Sequence, residues 1–279
     1  MTMHLLASHA DTAARVRIFG SLDMTVGGRP VEIRPGRPRR FVLALLLRAG
    51  QRVSLDTLLE QLWPAEQPKN PKNALQIVVS HVRKALDDAA GAGHLIETVE
   101  NGYRLDIDRD HVDAFVFEDA VRSLSDVDDA IARLAAIDDA LLLWRGDPLA
   151  EAAYESFAQP AIRRLLELRV AALEARAQTL LELGRNAEAI AMLAPLIDEY
   201  PLHERFPVLL MTALYRAGRQ ADALRIYDAT RAVLRDELGI DPGPELRAMA
   251  QAVLDQSPLL TWVPAGPRLV PVPSIGACA

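Results

Sequence analysis

The sequence predicts two folded parts in series, an α+β front domain over residues 15–108 and an all-α domain over residues 111–255. Three observations predict this order. Residues 16–33 alternate apolar and polar side chains in the two-residue period of half-buried strands. Between residues 41 and 87, one run is apolar on most sides and two stretches place apolar residues at the three- and four-residue spacing of helix faces. From about residue 111 to 254 the pattern is helical, rich in Ala and Leu, with almost no strand punctuation. The flanking residues read as tails: 1–14 as a loose one, 256–279 as a flexible, Pro-rich one.

Each element of the front domain has its own signal. Val16 and Ile18, then Leu22, Met24 and Val26, then Val31 and Ile33 mark three strands, with Gly27-Gly28 as a hairpin turn. After the cluster RPGRPRR, the run FVLALLLRAG is apolar on most sides, which suits a covered central helix ended by Gly50. Leu55, Leu58, Leu59, Leu62 and Trp63 form one face of a second helix, capped by Ser54 or Asp56 and stopped by Pro64. The polar loop AEQPKNP leads to a third helix, whose stripe is Leu75, Val78, Val79, Val82 and Leu86. Residues 95–107 then form a hairpin with Asn101-Gly102 as its two-residue turn. Strands, three helices and a terminal hairpin make a winged helix-turn-helix.

Within the all-α part, LGRNAEAI from Leu183 aligns with AGRQADAL from Ala217. The offset between the copies is about 34 residues, the period of tetratricopeptide helix pairs. Gly184 pairs with Gly218 and Ala189 with Ala223, small residues that let two helices approach closely. A short tetratricopeptide-like solenoid is expected.

Composition narrows the function classes. The only cysteine is Cys278, so no intramolecular disulfide forms and a reducing, cytoplasmic setting is expected. No stretch approaches the roughly 20 apolar residues of a membrane span. The net charge of −7 opposes nucleic-acid binding, yet residues 16–109 hold 14 Lys and Arg against 11 Asp and Glu, a balance of +3 that leaves −10 for the remainder. The six histidines have no paired metal-ligand spacing, and no phosphate-loop, dinucleotide or nucleophile-elbow motif occurs. No metal, no cofactor and no enzymatic activity are expected.

At 100° per residue, Asn73, Gln76, Ser80, Arg83, Lys84 and Asp87 share an arc of roughly 100° opposite the third helix's apolar stripe. Such a face suits a major groove, where Asn and Gln read adenine edges and Arg and Lys reach guanine or phosphate. His81 borders it, and Ile77 sits on its edge, placed to touch a thymine methyl. A solvated helix face is the competing reading, which the neighbouring loop and hairpin disfavour. Arg37, Arg39 and Arg40 oppose the dipole at the first helix's N-terminus and so suit phosphate contact, an ordinary basic loop being an equal reading for each. Asn101 and Arg104 are candidates for minor-groove or backbone contact, against which Glu97 and Glu100 act.

In order along the chain, FGSLDMTVGGRPVEI, RPRRFVLALLLRAGQRVSLDTLLEQLWP, NALQIVVSHVRKAL, NGYRLDI, LLLWRGDPLAE, LYRAGRQADALRIYDATRAVLRDELGIDPGPEL and QSP resemble the Streptomyces antibiotic regulatory protein family over roughly residues 16–256. That family joins an OmpR-type winged helix to a bacterial transcriptional activation domain. The resemblance implies a pathway-specific activator for a secondary-metabolite gene cluster, nucleoid-associated in the cytoplasm. It implies a third helix in the major groove of double-stranded promoter DNA, and a homodimer or tandem protomers on direct repeats. It also implies recruitment of RNA polymerase holoenzyme by the loop before that helix, here Glu66, Gln67, Pro68, Lys69 and Asn70. The chain departs from relatives at Val78 and His81, so base preference does not carry across. Larger relatives add nucleotide-hydrolysing or sensory modules; here a signal is expected through expression level, the helical domain or a separate partner. A repressor on similar sites and a tetratricopeptide-type interaction scaffold are the alternatives.

Overall fold

The structure, a computed structural model, describes residues 14–262. Strands β1 (Ala14–Arg17), β2 (Asp23–Val26) and β3 (Arg29–Pro30) form an antiparallel sheet in that order. Val16 lies opposite Met24 in register, and both side chains are buried with Ile18, Val26, Val31 and Ile33. The turn at Gly27-Gly28 has both residues at positive φ, the requirement of a tight primed hairpin. Ala14, expected in the leading tail, is the first residue of β1 and is buried in the core.

Helix α1 (Arg37–Leu46) buries every residue from Phe41 to Leu46, as its continuous apolar run demands. After the short strand β4 (Val53–Ser54), the Ser54 hydroxyl accepts from Thr57 N at 3.2 Å and so caps α2 (Leu55–Leu62). Helix α3 (Pro71–Ala90) starts with Pro in its first turn and ends at Gly91 in the left-handed region. All five members of its predicted stripe are buried. Strands β5 (Ile96–Val99) and β6 (Gly102–Leu105) close this region in a second sheet, ordered β4-β6-β5.

The β5–β6 turn differs from expectation by one residue. Val99 pairs with Gly102, so the two loop residues are Glu100 and Asn101, with Asn101 at φ 52. Gly102 is needed for another reason: a Cβ there would penetrate the Val53 carbonyl oxygen of β4.

The compact units do not part where the sequence turns all-helical. The first comprises residues up to 128 and residues 135–172, so it includes α4 (Asp113–Ser123). Asp113 anchors α4 to the first sheet: its carboxylate accepts from Ile18 N at 2.8 Å, Phe19 N at 3.2 Å and Ala114 N at 2.8 Å. Burial lifts this carboxyl above its ordinary value, while the three amides and Arg145 pull it down. Beside it, Phe19 stacks on Trp144 with ring centres 4.2 Å apart, and Phe117 meets both edge-on.

The second unit comprises residues 129–134 and those from 173 onward. Helices α5 (Ala130–Leu141) and α6 (Gln159–Glu182) contribute residues to both units. α7 (Asn186–Glu199), α8 (Arg205–Arg216), α9 (Gln220–Leu238) and α10 (Pro244–Leu254) complete the second. The internal repeat is visible in its bonds. Arg185 N donates to Leu180 O at 2.8 Å, and Arg219 N donates to Leu214 O at 2.9 Å. Gly184 and Gly218 take φ of 71 and 75, and Ala189 and Ala223 are fully buried.

Residues 258–260, expected in the flexible tail, form a 3-10 turn that buries Leu260. The rest of that predicted tail, residues 263–279, lies outside the described residues, as do residues 1–13 of the leading one. Among the described residues no helix is long and apolar enough to cross a membrane.

Candidate nucleic-acid interface

Helix α3 is held by its apolar stripe, which leaves the opposite face outward. Asn70 caps it, its side-chain oxygen accepting from Asn73 N at 3.2 Å. That bond answers one of the orphan N–H groups of the first turn. Lys72, Asn73, Gln76, Ile77, Ser80, His81 and Lys84 are all exposed along this face. Ile77 is 49% exposed, a large aliphatic side chain facing solvent amid polar ones. The face therefore offers amide groups, a hydroxyl, an imidazole, two ammonium groups and one apolar contact, the mixture that groove recognition uses.

Two members of the predicted arc are turned elsewhere. The Arg83 guanidinium lies along β5: Nε and Nη2 donate to Ile96 O at 3.0 and 2.6 Å, and Nη2 donates to Thr98 Oγ1 at 2.8 Å. It also approaches the Tyr103 ring, 6.0 Å from its centre. Asp87 accepts from Gly93 N at 2.7 Å and so secures the turn after α3. Lys84 remains 73% exposed at its side chain, with Asp88 one turn on at 3.0 Å. An exposed pair of this kind holds its partners loosely, at about 0–1 kcal/mol.

The three arginines at the start of α1 separate in the same way. Arg39 donates to Ile33 O at 2.8 Å and pairs with Glu151, and Arg40 pairs with Glu155 at 2.8 Å. Both side chains are thus engaged by carboxylates within the first unit. Arg37 is exposed, with its guanidinium 5.1 Å from the centre of the Trp63 ring. At the hairpin, Arg104 Nε donates to Glu97 at 2.7 Å, so these charges neutralise each other. Asn101 is exposed at the tip beside Glu100.

The α2–α3 loop projects Glu66, Gln67 and Lys69 into solvent, whereas the Asn70 oxygen is committed to the cap. Two further exposed cations, Lys72 and Arg52, escape the sequence pattern. Lys72, in the first turn of α3, lies just outside the predicted arc, beside its Arg83 edge. Arg52 is exposed and donates to Glu100 O at 3.0 Å, a proximity that only the β4–β6 pairing creates. Lysine usage held a signal for the first of them: the chain has three Lys against 28 Arg, and all three, Lys69, Lys72 and Lys84, lie on α3 or the loop before it. Among the described residues no group of His, Cys, Asp and Glu is placed to hold a metal ion.

A winged helix-turn-helix with an outward polar third helix, followed by tetratricopeptide-like helix pairs, defines a class of transcriptional regulator. Residues 32–105 match the family described as transcriptional regulatory protein, C terminal, and residues 112–254 match the bacterial transcriptional activator domain. The chain is 38% identical to transcriptional regulator RedD of Streptomyces coelicolor, covering 88% of this chain and 71% of that protein. It is 32% identical to regulatory protein DnrI of Streptomyces peucetius, covering 88% and 93% respectively. A solved structure, Mycobacterium tuberculosis EmbR in complex with a low-affinity phosphopeptide, superposes with a TM-score of 0.79 at 31% identity, over 88% of this chain and 66% of that one. The chain belongs to the Streptomyces antibiotic regulatory protein family of transcriptional regulators, carrying the bacterial transcriptional activator domain.

Proposed function

We propose that the protein is a sequence-specific DNA-binding activator of a secondary-metabolite gene cluster, which occupies promoter direct repeats as tandem protomers and recruits RNA polymerase. The observation that carries this reading is the outward face of α3, where Asn73, Gln76, Ile77, Ser80, His81 and Lys84 are exposed together. Asn73 and Gln76 suit adenine edges, Ile77 a thymine methyl, and Lys72 and Lys84 guanine or phosphate oxygens. Arg37, Arg52 and Asn101 border the contact. Arg83, Arg39, Arg40 and Arg104 support it from within, each engaged by a protein acceptor. Glu66, Gln67 and Lys69 form an exposed loop suited to polymerase. The protein works in the cytoplasm, on the nucleoid.

Footprinting at fixed salt on the promoters beside its own gene tests the reading. Protection of two direct repeats, lost when Asn73 and Gln76 are both replaced by Ala, is the expected result. Uniform binding to repeat-bearing and random DNA would remove sequence recognition. Transcription from a protected promoter then separates activation from repression.

A further inference from the structure

In the second unit, residues 258–262 lie on the turn between α6 and α7. After the 3-10 turn Pro258–Leu260, the Trp262 ring covers Gly184: a methyl group placed on that glycine would come within 2.8 Å of the ring. The indole Nε1 donates to Glu182 O at 3.0 Å, one of the carbonyls that the end of α6 leaves without a helical partner. Two residues earlier, Leu260 is buried, and its carbonyl accepts from Arg216 Nε at 2.9 Å. Arg216 Nη1 donates in addition to Leu181 O at 3.0 Å, so one guanidinium ties the segment to the helix end beneath it.

The internal repeat supplies a comparison. Gly218 takes the place of Gly184 in the second copy with nearly the same φ, yet a methyl there would meet nothing within 4 Å. The ring contact is therefore not a packing requirement of the repeated turn, which forms equally well uncovered. Trp262 is 36% exposed, and Leu259, in the same segment, is 89% exposed. The segment lies on the surface of the helix pairs, held by one buried aliphatic residue, one indole and two hydrogen bonds.

We propose that the α6–α7 turn and Arg216 form a binding seat for a short peptide segment carrying an aliphatic residue at the end of a 3-10 turn and, two positions later, an indole. The chain fills this seat in cis with Leu260 and Trp262, and a partner segment of the same chemistry displaces them. A flat glycine surface admits the ring, the helix-end carbonyl selects an aromatic residue with an N–H donor, and Arg216 reads the main chain of whatever occupies the groove. This seat is independent of the α3 face.

The test uses the full-length chain with Leu260→Ala and Trp262→Ala together, and a fluorescent peptide of sequence QSPLLTWVPAG followed by polarisation. A tethered occupant competes at an effective concentration in the millimolar range, so the emptied variant should bind about tenfold or more tighter than the wild type. Adding Gly184→Ala should abolish that binding, whereas adding Gly218→Ala, with the same positive-φ strain, should leave it. Equal binding to wild-type and emptied chains overturns the proposal, as does no binding to an emptied chain that melts normally, or equal loss from the two glycine variants. If the double variant does not fold, 5-fluorotryptophan spectra of the wild type decide. Excess peptide should move the Trp262 resonance to its solvent position, and an unmoved resonance overturns the proposal.

Discussion

Gly102 has no room for a side chain, because its backbone packs against the Val53 carbonyl where β4 and β6 pair. Gly102→Ala is therefore expected to destabilise the first unit by about 1–3 kcal/mol or more, since backbone must move rather than a flexible side chain. Gly28→Ala, at positive φ but in open space, should cost only about 1 kcal/mol of backbone strain. Thermal melting of the two variants checks the order, and a Gly28 variant that melts lower would remove the close-approach argument. Asp113 is a second such position, holding three backbone N–H groups with two oxygens. Asn in its place keeps the shape but turns a donor toward one of those donors, so Asp113→Asn should lose about 1–3 kcal/mol in chemical denaturation. A variant as stable as the wild type would mean that the amides find other partners. The turn was legible one residue out of place, and the reason for Gly102 was not: its close neighbour is Val53 of β4, with α2 and α3 between them in the chain, and no local pattern records that.

The elements themselves were largely written in the periodicity. The five-residue stripe of α3 is buried as predicted, because a helix side facing a core has no alternative to apolar residues. What periodicity does not show is where a long side chain goes. Arg83 stands at the edge of the predicted arc, and its guanidinium reaches sideways to Ile96 O and Thr98 on β5 instead of outward. It joins α3 to the hairpin that follows and so sets the angle between them. This predicts a pattern opposite to that of a phosphate contact. Arg83→Lys keeps the charge but loses the fork that spans two acceptors, so it should weaken DNA binding nearly as much as Arg83→Ala, with the salt slope unchanged in both. Titrations at several salt concentrations distinguish the two roles. Full rescue by Lys, together with a slope lowered by about one unit in the Ala variant, would make Arg83 a DNA ligand.

At the scale of the whole molecule, composition showed a basic front and an acidic rear but not which cations face outward. Nor could it show where the compact units part, because Phe19 in the front segment finds its ring partners, Phe117 and Trp144, beyond the point where the sequence turns helical. The same unit removes two arginines from the surface count: Arg39 and Arg40 belong to Glu151 and Glu155. Counterion release makes this measurable, since each phosphate contact contributes roughly 0.9 to the slope of log affinity against log salt. Lys72→Gln and Lys84→Gln should each lower that slope by about one unit, because both side chains are exposed on the α3 face. Arg39→Gln and Arg40→Gln should leave the slope as it is and instead lower the melting temperature, each loss amounting to about 0–1 kcal/mol for a partly exposed ion pair. If the arginine variants change the slope and the lysine variants do not, the protein meets DNA through the N-terminus of α1, and the outward face of α3 is a solvated helix face.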